Sequence, residues 1–242
     1  MPPKKKPRKE EQLICINIPE TEISREPHTI EEIALGARNH RASRIATEFD
    51  RGFQFIKKYP KSVTIYGSAR FKPTNPHYKD ACALAILLAN EGYAVVTGGG
   101  PGIMEAANRG AKEAGGASVG LNIELPHEQV INPYVTDSLS FYYFFSRKTT
   151  MSFSSEAYIF YPGGFGTLDE FFEIVTLIQT KKIRNAPVVL VGKDFWGPLD
   201  DFLRINVMRN HGAIEKSDLK LYSILDDHKE ILKIVLAAPV RS

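Results

Sequence analysis

Cysteine and long apolar runs are both scarce in this sequence of 242 residues, and each shortage excludes a class of protein. Two cysteines, Cys15 and Cys82, are too few for a disulfide framework. Each lies in an apolar stretch, which predicts buried thiols in a reducing compartment. No apolar run is long enough to span a bilayer, and the first nine residues lack the hydrophobic segment of a secretory signal. We therefore expect a soluble, cytoplasmic protein that does not associate with membranes.

Signatures of metal and nucleophile chemistry are also missing. The six histidines are scattered, and His127-Glu128 has no second histidine at zinc-binding spacing. There is no G-x-S-x-G elbow, and no Lys-Ser or Lys-Thr pair follows a glycine-rich loop as in a Walker A site. The G-x-G-x-x-G fingerprint is absent from the segments at Gly67 and Gly98, which disfavours a dinucleotide site. We expect no metal ion and no organic cofactor.

The net charge of +3 belongs to the first eleven residues, where five basic residues outweigh two glutamates. The rest of the chain is neutral. Prolines interrupt the basic run, which favours a solvated tail that binds nucleic acid weakly, if it binds any. We assign residues 1–28 to this largely disordered tail and a linker.

A helical extension is predicted over residues 29–59. Thr29-Ile-Glu-Glu32 has the pattern of a capping box, and apolar residues follow at near-helical spacing. One or two amphipathic helices are expected, packed on the main domain or on a second subunit.

Residues 60–242 are predicted to form the catalytic domain, because short apolar strands alternate with helical segments from Lys61 onward. This alternation predicts βαβ units with a parallel sheet covered on both faces. The fold class is therefore α/β, a Rossmann-like, doubly wound parallel sheet with an N-terminal helical extension. The predicted strands are residues 63–66, 93–97, 117–123, 157–161, 187–191 and a short last strand at 221–225. The predicted helices are residues 78–90, 101–114, 146–154, 167–181, 199–210 and 227–237, and residues 124–140 are expected to form an irregular polar loop.

Three of the predicted strands end in small residues. These ends are Gly67-Ser68-Ala69-Arg70, Gly98-Gly99-Gly100-Pro101-Gly102 and Pro162-Gly163-Gly164-Phe165-Gly166-Thr167. Ligands of open parallel sheets lie at such carboxyl ends. Glycines let the backbone approach an anion, and the following helix offers unpaired N–H groups and a positive dipole end. The pattern predicts a phosphate site, to which the Thr167 hydroxyl adds one more donor.

Two charged segments near these turns have two interpretations each. Thr167-Leu-Asp-Glu170 is a capping box, so Glu170 can serve the helix alone, yet it also lies one turn from the predicted phosphate site. Arg147-Lys148 can belong to a solvated helix face or can lean over the end of the strand that follows. The sequence alone does not decide between a structural role and a site role for Glu170 or for Arg147-Lys148.

The chain resembles the LOG ("lonely guy") family, whose members were long mislabelled lysine decarboxylases. The segment from Pro162 to Glu170 matches the family signature P-G-G-x-G-T-x-x-E, and the resemblance covers about residues 62–230. The companion matches are Gly98-Gly99-Gly100-Pro101-Gly102-Ile103-Met104, Leu121-Asn122-Ile123 with Pro126 and Glu128-Gln129, and Ser146-Arg147-Lys148 with Met151.

The resemblance implies a phosphoribohydrolase that converts a nucleoside 5′-monophosphate into free base and ribose 5-phosphate. AMP and N6-modified adenine nucleotides such as cytokinin precursors are the implied substrates, and a homodimer or larger homo-oligomer is implied. The family's catalytic pair falls on Arg147 and Glu170, and the N-terminus of its helix is expected to keep Glu170 ionised. The implied phosphate- and substrate-binding residues are Gly98, Gly99, Gly100, Gly102, Met104, Lys148, Gly163, Gly164, Gly166 and Thr167.

Two other functions remain open. One is a non-hydrolytic carrier of a nucleotide or of molybdenum cofactor, and retention of the pair Arg147 and Glu170 favours hydrolysis over it. The other is a lysine decarboxylase, which needs a lysine bound to pyridoxal phosphate. Lys148 lies beside Arg147 in the sequence, but phosphate loops alone do not indicate that cofactor.

Overall fold

The computed structural model describes residues 30–124 and 131–240, with side chains from His40 onward. Residues from Ala42 onward belong to one compact unit, and those up to Arg41 belong to a second. The predictions that fall on residues 1–28, Thr29, Pro126, His127 and Glu128-Gln129 lie outside the described residues.

Within the described residues, strands alternate with helices along the chain. The strands are β1 Ser62–Tyr66, β2 Ala94–Thr97, β3 Ser118–Ile123, β4 Asp137–Phe141, β5 Ala157–Phe160, β6 Val188–Leu190 and β7 Ser223–Ile224. The α-helices are α1 Ile30–Ile56, α2 Pro76–Asn90, α3 Ile103–Glu113, α4 Phe144–Ser152, α5 Phe165–Gln179, α6 Lys193–Phe202 and α7 His228–Leu236. Helix α6 continues into a π-helical segment, Leu203–Asn210, and Asp218–Lys220 forms a 3₁₀ turn. None of the described helices has both the length and the apolar character needed to cross a bilayer.

The seven strands form one parallel sheet in the order β4-β3-β2-β1-β5-β6-β7. The chain steps outward from β1 to β4, then returns to the other side of β1 with β5. In the register between these two strands, Val63 lies opposite Ala157 and Tyr66 opposite Phe160. The strand order therefore reverses between β1 and β5, which is the topological switch point of a doubly wound sheet.

Helices cover the sheet on both faces, and successive strand residues enter different cores. On β5, Ile159 packs with residues of α2, α3 and α7, whereas Tyr158 and Phe160 pack with residues of α4, α5 and α6 and with the end of α1. Every residue of β1, β2, β3, β5 and β6 is buried. Burial on both faces explains why these strands appear in the sequence as short apolar runs without alternation. The predicted α/β class with a doubly wound parallel sheet is confirmed.

The prediction of an irregular loop over residues 124–140 is wrong at its end. Asp137–Phe141 is strand β4, paired in parallel with β3 from Val119 and Asp137 to Ile123 and Phe141. It is an edge strand of which only Phe141 is buried. A half-exposed edge strand keeps polar side chains, so it lacks the apolar run by which the other strands were predicted.

Three predicted helix starts are also wrong, those of α5, α3 and α6. Helix α5 begins at Phe165, with Gly164 as its N-cap, so Thr167 is already helical and does not form the predicted capping box with Glu170. Helix α3 begins at Ile103, after Pro101 rather than with it.

Helix α6 begins at Lys193 instead of residue 199, and Pro198 lies inside it. The extension forms one continuous helix from Ile30 to Ile56. Phe55 and Ile56 at its end are buried in the core beside α4 and α5.

Candidate active site at the carboxyl edge of the sheet

The three glycine-bearing turns meet at the switch point of the sheet. The Ser68 N–H donates to the carbonyl oxygen of Pro162 at 3.0 Å, which joins the turns after β1 and β5. The Ile103 N–H donates to the carbonyl oxygen of Ser68 at 3.0 Å, which brings the turn after β2 to the same point. The structure thus brings together, at one edge of the sheet, the three strand ends predicted to bind a ligand.

The turn after β2 depends on glycine for its path. Gly99 and Gly102 have φ angles of +70° and +71°, in the left-handed region that favours glycine. A Cβ atom on Gly102 would also lie 2.7 Å from the carbonyl carbon of Ala69. The backbone of this turn therefore passes closer to the β1 turn than any other residue would permit.

Buried polar side chains hold the same turn from behind. The Gly99 N–H donates to Thr97 Oγ1 at 2.9 Å, and the Thr97 hydroxyl donates to Asn108 Oδ1 at 2.6 Å. The Asn132 amide donates to the Gly100 carbonyl at 3.0 Å and to Asn108 Oδ1 at 2.9 Å. Sequence reasoning missed these supports. Asn108 was detectable as an amide on the apolar face of α3, because buried amides are retained where they are hydrogen-bonded.

The turn after β5 leads directly into α5. Gly164 is the N-cap of the helix and provides no side-chain cap, so the first N–H groups of α5 receive no hydrogen bond from that position. A Cβ atom on Gly164 or Gly166 would meet nothing within 4 Å, which leaves open space above these residues. Thr167 is buried and its side chain packs against Gly163. An uncapped helix N-terminus with open space in front of it is suited to an anion.

Arg147 lies in the first turn of α4 and is 8% exposed. Its Nε–H donates to the carbonyl oxygen of Leu121 in β3, at 2.7 Å. Its guanidinium lies against Gly98, since a Cβ atom on Gly98 would lie 3.4 Å from Arg147 Cζ. The same Cβ atom would lie 2.8 Å from Met104 Sδ, so Met104 also borders this position. Of the two interpretations of this arginine, the structure therefore excludes the solvated helix face.

Glu170 faces Arg147 from the second turn of α5, with Arg147 Nη1 at 3.9 Å from Glu170 Oε1. Burial raises the pKa of the Glu170 carboxyl to about 7; Arg147 acts against this rise, and Asp169 adds to it. The expectation that the helix N-terminus keeps Glu170 ionised does not hold near neutral pH, because desolvation of the side chain outweighs the favourable charges. The group is poised to hold or release a proton near neutral pH.

Lys148 points to α5 and is already paired there. Its Nζ atom lies 2.8 Å from Asp169 Oδ2 and 3.4 Å from Glu173 Oε2. Burial lowers the pKa of the Lys148 ammonium, but these two carboxylates outweigh burial and raise it. A direct phosphate contact of Lys148 remains a prediction, and in this structure the residue neutralises carboxylates that flank Glu170.

Asn122, which belongs to the segment that resembles the LOG family, borders the turn after β2. It is 6% exposed, and its Nδ2 atom has no hydrogen-bond partner among the described residues. Its Oδ1 atom occupies the space that a side chain on Gly99 would need. The described residues contain no group of three His, Cys, Asp or Glu side chains arranged to hold a metal ion.

The fold and the glycine turns at its switch point are those of the Rossmann-like α/β class. A family model described as "Possible lysine decarboxylase" matches residues 104–235, more than half of the chain. The chain belongs to this family, the LOG family of the sequence resemblance, and the predicted membership is confirmed.

Two curated relatives carry the same functional name. A Mycobacterium tuberculosis protein named cytokinin riboside 5′-monophosphate phosphoribohydrolase is 29% identical over 183 residues, covering 71% of this chain and 91% of that protein. An Oryza sativa subsp. japonica protein of that name, LOG, is 30% identical over 153 residues, which cover 61% of this chain and 62% of that protein.

Solved structures of similar fold include the molybdenum cofactor binding protein from Rippkaea orientalis. It has a TM-score of 0.54 and 24% identity and covers 73% of this chain and 96% of its own. The molybdenum cofactor carrier protein from Chlamydomonas reinhardtii has a TM-score of 0.52 and 24% identity. The match covers 73% of this chain and 99% of that protein's chain. At these identities the likeness concerns the fold.

Proposed function

We propose that the chain is a phosphoribohydrolase that hydrolyses the N-glycosidic bond of a nucleoside 5′-monophosphate. AMP or an N6-modified adenine nucleotide is the proposed substrate, and the free base and ribose 5-phosphate are the products. The observation that carries this proposal is the pair of Arg147 and Glu170, mostly buried at the switch point beside two glycine-rich turns. The functional names of the curated relatives support the same reaction.

The phosphate is proposed to bind at the N-terminus of α5. The open space in front of Gly164 and Gly166 and the helix N–H groups support this placement. In the proposed complex, Gly98, Gly99, Gly100 and Gly102 bring the backbone of the β2 turn close to the nucleotide. Binding the phosphate away from the reacting bond would position the sugar, so that binding energy lowers the barrier to reaction.

Glu170 is the proposed catalytic carboxylate. As the bond between C1′ and the base nitrogen breaks, its electron pair leaves with the base and positive charge develops on the ribose. Ionised Glu170 would stabilise that charge and accept a proton from the water that attacks C1′. The hydroxyl of this water becomes the new ribose hydroxyl, and the base nitrogen takes up a proton, which balances the hydrolysis.

Arg147 is proposed to stabilise negative charge rather than to transfer a proton, since a guanidinium stays protonated at neutral pH. The charge is either that of the departing base or that of the phosphate. The hydrogen bond from its Nε to Leu121 leaves the Nη groups available for this role.

A lysine decarboxylase would require a lysine that forms a Schiff base with pyridoxal phosphate. Lys148 does not fit this group, because Asp169 and Glu173 raise the pKa of its ammonium and a Schiff base needs the neutral amine. The alternative function is that of a carrier, which binds its ligand without cleaving it. The molybdenum cofactor binding and carrier proteins have a similar fold, so the fold does not separate a carrier from a hydrolase, and an assay is needed.

The test is to incubate the full chain with AMP, N6-isopentenyl AMP, adenosine or lysine and to assay free bases, ribose 5-phosphate and amines. Release of base and ribose 5-phosphate in equal amounts from a nucleotide is expected. Glu170→Gln is the control for a contaminating hydrolase. Binding of AMP without any product would support a carrier, and amine release from lysine would support a decarboxylase.

A homodimer or larger homo-oligomer and a cytoplasmic location are proposed as well. Light scattering on the purified chain measures the first, and imaging of a tagged chain in cells measures the second.

A further inference from the structure

Helix α1 carries a buried carboxylate to the start of α4. Glu48 is 8% exposed, and its carboxylate accepts hydrogen bonds from the Tyr142 N–H at 2.8 Å and the Tyr143 N–H at 3.3 Å. It also accepts one from the Ser146 hydroxyl at 2.5 Å. Glu48 therefore binds three groups around the N-terminus of α4.

This carboxylate anchors the two residues that lead into α4, Tyr142 and the N-cap residue Tyr143. Tyr143 is the N-cap residue of α4 and makes no side-chain capping hydrogen bond. A carboxylate at a helix N-terminus satisfies free N–H groups and interacts favourably with the helix dipole. A serine or asparagine at the N-cap would instead accept from N–H groups two or three residues further into the helix. An anchor that comes from another helix fixes where α4 begins in space.

One turn further along, α1 and α4 touch so closely that a side chain would not fit between them. A Cβ atom on Gly52 would lie 3.1 Å from Thr150 Cγ2 and 3.2 Å from Phe141 Cε1. Gly52 follows Glu48 by four residues, and Thr150 follows Ser146 by four, so both contacts lie on the same pair of helix faces. The two helices are thus held together at two successive turns.

Arg147 follows Ser146 directly, and its guanidinium is fixed at the other end by the Leu121 carbonyl. We propose that Glu48 is a positioning residue for Arg147, which it holds opposite Glu170 by anchoring the first turn of α4. This inference rests on the proposed hydrolase function, and it adds to the site a residue from α1, which precedes the region of family resemblance. Glu48 does not touch the proposed substrate and acts only through α4.

The first experiment compares Glu48→Gln and Ser146→Ala with Asp50→Asn. Asp50 is an exposed carboxylate on the same helix, hydrogen-bonded to Gln54, so it controls for charge removal from α1. We expect Glu48→Gln to lower kcat for AMP about ten- to hundred-fold, because a small misplacement of a catalytic group has an effect of this size. KM should change less than about threefold if the phosphate site at α5 is intact. Asp50→Asn should match the parent in both constants.

A double-mutant cycle separates positioning from general stabilisation. If Glu48 acts through Arg147, then Glu48→Gln should cause no further loss of kcat in an Arg147→Ala background. Hydrogen exchange of the amides of residues 142–147 should accelerate in Glu48→Gln, while exchange in α2 stays unchanged. Equal losses of kcat in both backgrounds, or normal kcat in Glu48→Gln, would overturn the inference.

Failure of the hydrolase proposal is recognised separately. If the parent chain binds AMP without cleaving it, the same cycle is measured on the Kd for AMP. Loss of affinity in Glu48→Gln that disappears in the Arg147→Ala background would support positioning of Arg147 for binding. Independent effects would overturn the positioning inference. A parent chain that binds no AMP would overturn the proposed function, and unchanged hydrogen exchange of residues 142–147 in Glu48→Gln would then overturn the positioning inference.

Discussion

Arg147 Nη1 and Glu170 Oε1 lie 3.9 Å apart, within reach of electrostatic attraction but beyond hydrogen-bonding distance. The Nε–H of Arg147 donates to the Leu121 carbonyl, and this hydrogen bond fixes the guanidinium at that distance from Glu170. A direct bond between the two groups would neutralise both. Their separation leaves each group able to interact with a ligand bound at this edge of the sheet.

The first prediction concerns the charge of Glu170. Glu170→Gln keeps the shape of the side chain but removes the carboxylate that is proposed to stabilise the ribose and accept a proton. We expect kcat for AMP to fall by roughly two to four orders of magnitude, with AMP still bound. Steady-state kinetics and calorimetric titration measure the two quantities. A variant with near-normal kcat would remove Glu170 from the reaction.

The second prediction follows from the pKa of Glu170, which burial raises to about 7. The proposed role requires the ionised form, whose population increases as the pH rises through this value. The ratio kcat/KM should therefore increase from pH 5.5 to about 7 and level off near pH 8. Initial rates in buffers of constant ionic strength give the profile. A rate that instead declines over this range would indicate that the protonated carboxyl is the active form.

The third prediction concerns stability. The pKa of Glu170 is about 7 in the folded chain against an ordinary value of 4.5, so the folded state binds more protons between these values. The free energy of unfolding therefore loses a contribution as the pH rises from about 4.5 through about 7. Glu170→Gln removes this loss and should be more stable than the parent at pH 8 by about 1–3 kcal/mol. Urea unfolding at pH 5 and pH 8 measures the difference, which should be several times smaller at pH 5. An equal difference at both pH values would contradict the raised pKa.

Local chemistry explains which parts of the fold were predictable. The central strands are buried on both faces, so they appear as apolar runs bounded by glycine, and their order along the chain was predicted. Strand β4 escaped prediction because, at the edge of the sheet, Asp137, Ser138 and Ser140 need no apolar partners. Helix α5 starts two residues before Thr167 because Gly164 serves as N-cap without a side chain, which a search for capping side chains does not find.

The site shows a similar division. The glycine turns were predictable from the sequence because only glycine fits at positions such as Gly102, where φ is +71° and the Ala69 backbone is close. The pKa of Glu170 was mispredicted because it depends on burial, which the helix position alone does not determine. Glu48 was missed because its partners are 94–98 residues away in the sequence. Its detectable signal is a glutamate four residues before Gly52, on the helix face that also buries Phe55.

The fourth prediction compares Gly98, in the turn after β2, with Gly166, in the turn after β5. In Gly98→Ala the new methyl group would meet the Arg147 guanidinium and Met104 Sδ, so kcat should fall about tenfold or more as Arg147 shifts. In Gly166→Ala the methyl group enters open space in the first turn of α5, so the melting temperature should stay the same or rise. If phosphate occupies that space, KM for AMP should rise in Gly166→Ala. Kinetics and thermal melts of both variants provide the comparison, and a parental KM in Gly166→Ala would remove this turn from the phosphate site.

The last prediction separates the basic tail from the site. Residues 1–11 hold the whole net charge, whereas the proposed catalytic, binding and positioning residues all lie after residue 47. Deleting residues 2–11 should leave kcat and KM for AMP within about twofold of the parent, because the Debye length of about 8 Å at physiological salt screens remote charges. Any affinity for a single-stranded oligonucleotide should disappear with the tail, since such binding is electrostatic and weakens with salt. Fluorescence anisotropy at two salt concentrations and the hydrolysis assay test both parts. Loss of hydrolysis in a folded, truncated chain would place the tail in the site, and oligonucleotide binding that survives the deletion would place a basic surface elsewhere on the protein.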